Sequence, residues 1–372
     1  MSDEQAFDPH HPRLSDTCVG HGDAERALLE AFNSERLHHA WLITGARGIG
    51  KATLAYRFAK FMLVNGNVGD DGPSMFGDDL GQTTFDSLDI DPDNEIIQRI
   101  KAGGHGDLLT VERSEDPKKK TIRKQIVVDD VRKAHTMFHN TASEGGWRVI
   151  VVDAADEMNN NAANALLKIL EEPPKKAILL LVSHAPGKLL PTVRSRCRML
   201  KLSPLEPSAV HDVVMARFPE MSSADLAALS ALAEGAPGKA IRLADMGGLT
   251  VYDRMIGILG SLQNLDIPEL HKLAGEMAAV KALDKYELFM DLLSNWLERL
   301  VRYGATGEAP FVVRDSENAI FQKLTGVCGV DRWLEVWEKM NNDRTRAAGI
   351  NMDKKQLLLE IFSTMAERAN GK

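Results

Sequence analysis

The stretch Gly45-Ala46-Arg47-Gly48-Ile49-Gly50-Lys51-Ala52-Thr53 follows the apolar run His39-Ala40-Trp41-Leu42-Ile43-Thr44 and opens a helical pattern from Lys51 to Leu63. A strand, a glycine-rich turn and a helix in this order are the context a phosphate-binding loop requires. Glycines let the backbone curl so that its N–H groups face phosphate oxygens, and the helix N-terminus adds a positive dipole end. Gly45, Gly48 and Gly50 are the candidate cradle, and Lys51 would reach the β and γ phosphates. One position breaks the strict pattern. The residue after the lysine is normally Ser or Thr, whose hydroxyl ligates Mg²⁺; here it is Ala52. Thr53 joins the candidate contacts but is no simple substitute, because one residue along a helix turns the side chain by ~100°.

Four more short apolar runs lie further along: Asp107–Val111, Arg148–Val152, Ala177–Val182 and Met199–Leu202. Val149-Ile150-Val151-Val152 and Ile178-Leu179-Leu180-Leu181-Val182 are continuously apolar, as strands buried on both faces of a parallel sheet must be. Helical patterns at Asp23–Leu37, Lys51–Leu63, Val127–Thr141 and Asn161–Glu172 alternate with the runs. The expectation is an α/β domain with a parallel sheet. The third run ends in Asp153-Ala154. Asp153 can help hold Mg²⁺, often through water, but Ala154 stands where a water-polarising glutamate belongs. Asp156 and Glu157 are out of register and read as acids at a helix start. The cradle and Lys51 allow weak ATP or ADP binding, with no cofactor required and no metal ligated. ATP hydrolysis by this chain alone is expected to be weak or absent.

The 372 residues are 44% apolar and 26% charged, which is ordinary for a globular protein. The net charge of −8 argues against a surface that grips nucleic acid all over, and leaves room for a local basic patch. Ser114–Lys124, with Lys118-Lys119-Lys120 and Arg123-Lys124 preceded by Glu115, Asp116 and Pro117, reads as a solvated loop in preference to a nucleic-acid patch. Asn65–Asp93, rich in Gly and Asp, reads as an inserted loop, and the residues up to Leu14 as loose. No run approaches the ~20 apolar residues of a membrane span, and the acidic Met1–Gln5 lacks signal-peptide features. A cytoplasmic chain is expected. Cys18, Cys197 and Cys328 form neither a disulfide framework nor a CxxC zinc pair. The adjacent His10-His11 and His38-His39 read as surface or packing residues.

After Leu205 no strand pattern recurs. Pro207–Arg217, Ser223–Ala233 and Gly238–Asp245 read as short helices, and longer amphipathic helices follow from about Val251. Leu288, Leu292, Leu293, Trp296 and Leu300 form one apolar stripe; Trp333, Trp337 and Met340 form another. Either could be a private core or a partner surface.

Asn164-Ala165-Leu166-Leu167-Lys168-Ile169-Leu170-Glu171-Glu172-Pro173-Pro174, followed by Ser195-Arg196-Cys197, closely resembles one family. NALLKxLEEPP with a later SRC is the hallmark of clamp-loader subunits of the AAA+ class. Gly20-His21, His39–Leu42 and Val128-Asp129-Asp130-Val131-Arg132 also look like that family. The resemblance implies a P-loop AAA+ domain over residues 1–204, a small helical lid over 205–248 and an all-α collar over 249–372. The departures Ala52 and Ala154, and the lack of cysteine between Cys18 and Cys197 where motor subunits carry a four-cysteine zinc module, point to a non-hydrolysing subunit without zinc. Gly238 falls where the family's sensor-2 arginine would stand, and Ser183-His184 at sensor 1.

The implied partners are motor subunits of the gamma/tau type and a delta subunit in a hetero-pentameric ring. The sliding clamp and primer–template DNA would be reached through the assembly, with no membrane. The implied setting is the bacterial cytoplasm, at the nucleoid through the replisome, within a DNA polymerase holoenzyme. Arg196 would be an arginine finger acting in trans on a neighbour's ATP. Chemistry alone allows it equally to be a surface cation between Arg194 and Arg198. Two other readings stay open: an active motor ATPase using Thr53 and Glu157, and an AAA+ adaptor outside replication.

Overall fold

The five apolar runs are the five strands of one sheet: β1 (Ala40–Thr44), β2 (Leu108–Val111), β3 (Arg148–Asp153), β4 (Ala177–Ser183) and β5 (Arg198–Lys201). Their order is β2-β3-β4-β1-β5, and every pairing is parallel. The computed structural model describes residues 11–34, 36–66, 84–139, 142, 146–279, 283–350 and 353–371. The chain divides into two contact units, Met1–Ala209 and Val210–Lys372.

In the first unit, alternate residues of the central strands serve opposite faces. Trp41, Ile43, Val149, Val151, Leu180 and Val182 pack with α1 (Gly22–Asn33) and α2 (Lys51–Asn65). Leu42, Ile150, Val152, Leu179 and Leu181 pack with α4 (Val128–His139) and α5 (Asn160–Glu171). Each strand buried on both faces needs helices on both sides, which is what βαβ crossovers supply. Two further helices, α3 (Glu95–Lys101) and the single-turn α6 (Pro191–Arg194), complete this unit. The helix α2 is buried all round and carries two cations inward. Arg57 binds Glu25, Asp89 and the Asp16 carbonyl, while Lys60 binds Asp16 and the Ser15 carbonyl.

Much of the expected 65–93 insertion lies outside the described residues, as do residues 1–10 of the expected loose N-terminus. The end of the insertion is tied down. Asn33 brackets Phe85 by accepting from its N–H and donating to its carbonyl. The helix α3 comes next and has no counterpart among the helical patterns expected from the sequence. Asn94 caps it by accepting from Ile96 N. Its local signal is an N-cap residue before Ile97 and Ile100, both buried.

The second unit is all helical among its described residues. Its helices are α7 (Pro207–Arg217, which begins just before the division), α8 (Ser223–Ala233), α9 (Pro237–Asp245), α10 (Gly248–Gly260), α11 (Ile267–Ala278), α12 (Leu283–Thr306), α13 (Ser316–Val327), α14 (Val330–Ile350) and α15 (Lys354–Ala369). Both apolar stripes serve the chain's own core. Trp296 and Trp333 are fully buried, and the Trp337 indole donates to Ser294 O at 3.1 Å.

One polar cluster crosses this core. Arg299 donates to Glu317 Oε2 at 2.6 Å and to the Phe311 carbonyl at 3.3 Å, and it stacks over the Phe311 ring. Tyr252 hydroxyl bonds to both partners, and Val313 N donates to the same carboxylate. α10, α12, α13 and the 311–313 segment thus meet at one charge pair, with Arg299 2% and Glu317 0% exposed. Removing one charge strands the other in the core, at a cost of about 3–5 kcal/mol. Arg299→Met should therefore lower the unfolding free energy in urea by that order. Arg299→Met with Glu317→Gln should lose clearly less, since no buried charge is left unpaired.

Candidate functional site

The loop after β1 has the backbone a phosphate cradle needs. Gly45, Gly48 and Gly50 all take positive φ, at 149°, 79° and 110°. At Gly45 a Cβ would stand 2.8 Å from Leu202 O, so both the conformation and the close approach require glycine. Gly50 caps α2 in the left-handed region, which turns the free N–H groups of that helix toward the loop. His21, from the start of α1, is 5% exposed and its Nε2 donates to Ile49 O at 2.7 Å. The Gly20-His21 pair is the only sequence signal for this tie, and it does not name the partner.

Lys51 is the first residue of α2 and is 2% exposed. Its Nζ donates to Gly45 O at 2.8 Å and to Ala46 O at 2.6 Å, so the lysine closes over its own loop. Burial pulls its pKa down to about 8 despite Asp153 and Asp156 nearby. Asp153 lies at the end of β3, one register step below the level of Thr44 and Ser183. Burial, helped by Glu112, pushes its pKa up to about 6. Ala52 packs its methyl against the core, and Thr53 lies half-buried one residue on.

The acids that could replace the missing glutamate are engaged elsewhere. Glu157 Oε2 lies 2.9 Å from Arg113 Nε, and Asp156 Oδ1 accepts from His184 N at 2.8 Å. Burial, reinforced by Lys51 and Arg47, drives the His184 pKa down to about 4, so its ring is neutral at physiological pH. It can offer a hydrogen bond to a γ-phosphate but no charge.

Arg196 is placed apart from all of these. The cradle follows the C-terminal end of β1, whereas Arg196 precedes the N-terminal end of β5, and β5 runs parallel to β1. Trp41 pairs with Arg198 and Thr44 with Lys201, so three residue steps, about 10 Å, separate the two levels before either loop begins. Arg196 is on the wrong end of the sheet to touch a phosphate held by Lys51 of the same chain. Its guanidinium is nevertheless fixed. Nη1 donates to Thr192 O at 3.0 Å and Nη2 lies 2.9 Å from Glu171 Oε1. Glu171 is the first glutamate of the LEEPP segment, and the motif alone gives no sign of this pairing. The arginine side chain stays 36% exposed. The structure therefore brings Gly45, Gly48, Gly50, Lys51 and Asp153 together, with Thr53 behind them, and sets Arg196 at the far end.

A family described as "DNA polymerase III, delta subunit" matches residues 79–206. The chain is 29% identical to DNA polymerase III subunit delta′ of Pseudomonas aeruginosa, across 91% of this chain and 94% of that protein. It is 32% identical to subunit delta′ of Bacillus subtilis, across 50% of this chain and 49% of that one. With subunit delta′ of Escherichia coli it shares 32% identity across 58% of this chain and 57% of that one. Along most of its length the chain is similar to DNA polymerase III delta-prime subunits. The matched family region spans β2 to β5 and includes Ser195-Arg196-Cys197, while the cradle lies before it. Among the described residues no helix is long and apolar enough to cross a membrane.

The Asp153 shift has a measurable consequence. With its folded pKa raised, the burial cost of its charge is fully present above about pH 6 and vanishes as pH falls below the unfolded value near 4. Asp153→Asn should raise the melting temperature at about pH 8, and the gain should shrink toward about pH 4. An equal gain at both pH values would contradict the assignment.

Proposed function

We propose that this chain is a non-hydrolysing delta-prime subunit of a clamp loader that supplies Arg196 in trans to ATP bound by a neighbouring motor subunit. The observation that carries the reading is the separation of Arg196 from the chain's own cradle by the length of the sheet. A half-exposed arginine held by two acceptors, at the other end of the sheet from its own phosphate loop, suits a guanidinium presented to another subunit. Guanidinium is planar and permanently charged, so it meets phosphate oxygens without needing a proton shift.

Silence of the chain's own site is supported by its side chains. Ala52 has no hydroxyl, Ala154 no carboxylate, and Glu157 is held by Arg113. The active-motor alternative would need Glu157 to leave that pair and Thr53 to turn toward the nucleotide. Weak ATP or ADP binding without hydrolysis fits the surviving backbone cradle, with no cofactor required and no zinc. The partners proposed are gamma/tau-type motor subunits and a delta subunit in a hetero-pentameric ring, with the sliding clamp and primer–template DNA engaged by the whole assembly. The setting is the bacterial cytoplasm, beside the nucleoid through the replisome.

The pair with Glu171 is too exposed to stabilise the fold by more than ~1 kcal/mol, so its effect is to orient Arg196. Fingers of this kind are worth ~10³–10⁵ in rate in other P-loop NTPases. The test is ATP turnover by the reconstituted loader with clamp and primed DNA. Arg196→Ala should leave assembly intact and lower turnover at the site it serves by at least ~10-fold. Unchanged turnover in an intact assembly would return Arg196 to a structural role. Mg²⁺-dependent turnover by the isolated chain, lost in Lys51→Ala, would instead favour the motor reading.

A further inference from the structure

Residues 114–124 form a closed hairpin rather than the plain solvated loop that the charge pattern suggests. Glu115 and Ile122 bridge in antiparallel fashion, and Arg123 N donates to Ser114 O at 3.0 Å. The tip is closed by Asp116. Its Oδ1 accepts from Lys118 N and Lys119 N, while its own N–H donates to Thr121 O and its carbonyl accepts from Lys120 N. Lys120 takes the left-handed conformation, with φ 49°, at the turn. The hairpin links β2 to α4, so it projects from the same end of the sheet as the cradle.

Five cations sit between Lys118 and Lys124, against the two carboxylates Glu115 and Asp116, in a chain whose net charge is −8. Lys118, Lys119, Lys120 and Lys124 are exposed. Among the described residues no carboxylate pairs with any of the four, although most arginines of the second unit do find one. Ile122, between Lys120 and Arg123, is 63% exposed, the most open large apolar side chain among the described residues.

We propose that this hairpin is a contact surface for the phosphate backbone of duplex DNA, with Lys118, Lys119 and Lys120 as the phosphate contacts and Ile122 lying against a sugar or a terminal base. The proposal rests on the clamp-loader reading for the source of the DNA. Three successive residues around a tight turn send their side chains in divergent directions. One acidic protein patch meets such a spread poorly, whereas a duplex carries a charge every ~1.7 Å along its axis. Lysine binds phosphate as a point charge and needs no fixed fork geometry, which suits contact that positions without reading sequence. A rigid hairpin loses little entropy when it docks. An exposed apolar side chain flanked by cations matches the way such side chains meet sugars and base steps.

The test uses the full-length chain, alone and in the reconstituted assembly, with a labelled primer–template duplex. With benzoylphenylalanine replacing Ile122, irradiation should join the chain to DNA, and high salt should abolish the product. Lys118→Ala, Lys119→Ala and Lys120→Ala together should weaken DNA binding by the assembly and flatten the dependence of log K on log salt by roughly 2–3, since each lost phosphate contact removes ~0.9. Lysine-to-arginine replacement at the three positions should retain both. Crosslinking to protein subunits alone, or an unchanged salt slope, would overturn the proposal; the first outcome would mark the hairpin as a docking face for an acidic protein. Incorporation into the assembly and the Arg196→Ala turnover are read separately. Failure there would sink the clamp-loader reading, while the crosslink to DNA on the chain alone still decides the hairpin.

Discussion

Burial of β3 and β4 on both faces is the constraint on which the rest of the first unit depends. Val149 to Val152 and Ile178 to Val182 have no side that tolerates water. A strand of that kind must lie inside a sheet and be covered above and below, and parallel crossovers do this by placing a helix after each strand. Once all five strands run the same way, the sheet acquires two chemically different ends. Loops that come after strands gather at one end: the glycine cradle, Asp153, Ser183-His184 and the basic hairpin. Segments that precede strands gather at the other, and Arg196 with Glu171 is there.

This polarity separates nucleotide handling within the chain from whatever its arginine serves. At the cradle end, burial works against charge. Lys51 is drawn toward neutrality and bonded to its own loop, Asp153 resists ionisation, and His184 is neutral. Such a site keeps the backbone geometry of a nucleotide loop while its side chains satisfy one another. At the opposite end the electrostatics are open. Arg196 remains half-exposed and oriented by two acceptors on α5 and α6. The second unit draws on a different device, a buried arginine–glutamate–tyrosine cluster that fixes the meeting point of three helices where apolar packing alone would allow sliding.

Legibility in the sequence tracks the strength of local pattern. The central strands β3 and β4 are readable because the continuous apolar runs Val149–Val152 and Ile178–Val182, bounded by polar turns, admit few other structures. The cradle is readable because its glycines, lysine and flanking elements occur in one contiguous segment. The short helix α3 escapes notice because two turns behind a polar insertion give little periodicity. The hairpin at residues 114–124 looks like a solvated loop because its order comes from Asp116 clasping backbone N–H groups, and a charge-rich stretch gives no hydrophobic alternation to reveal that. The roles of His21 and Glu171 are hidden for another reason: each acts on a partner 25 or more residues away.

Residue type and near-neighbour spacing were enough for the α/β class, the strands, the defects at Ala52 and Ala154, and the helical character beyond residue 205. Each of these is a local property, written in contiguous stretches of chain. Folding in three dimensions was needed to show which end of the sheet each functional group occupies, that Glu157 is taken by Arg113, that Trp296 and Trp333 are core, and that Arg196 lies at the opposite end from its own cradle. Those are questions of strand direction, long-range pairing and burial. They are settled when distant segments pack, by the competition between desolvating a charge and finding it a partner.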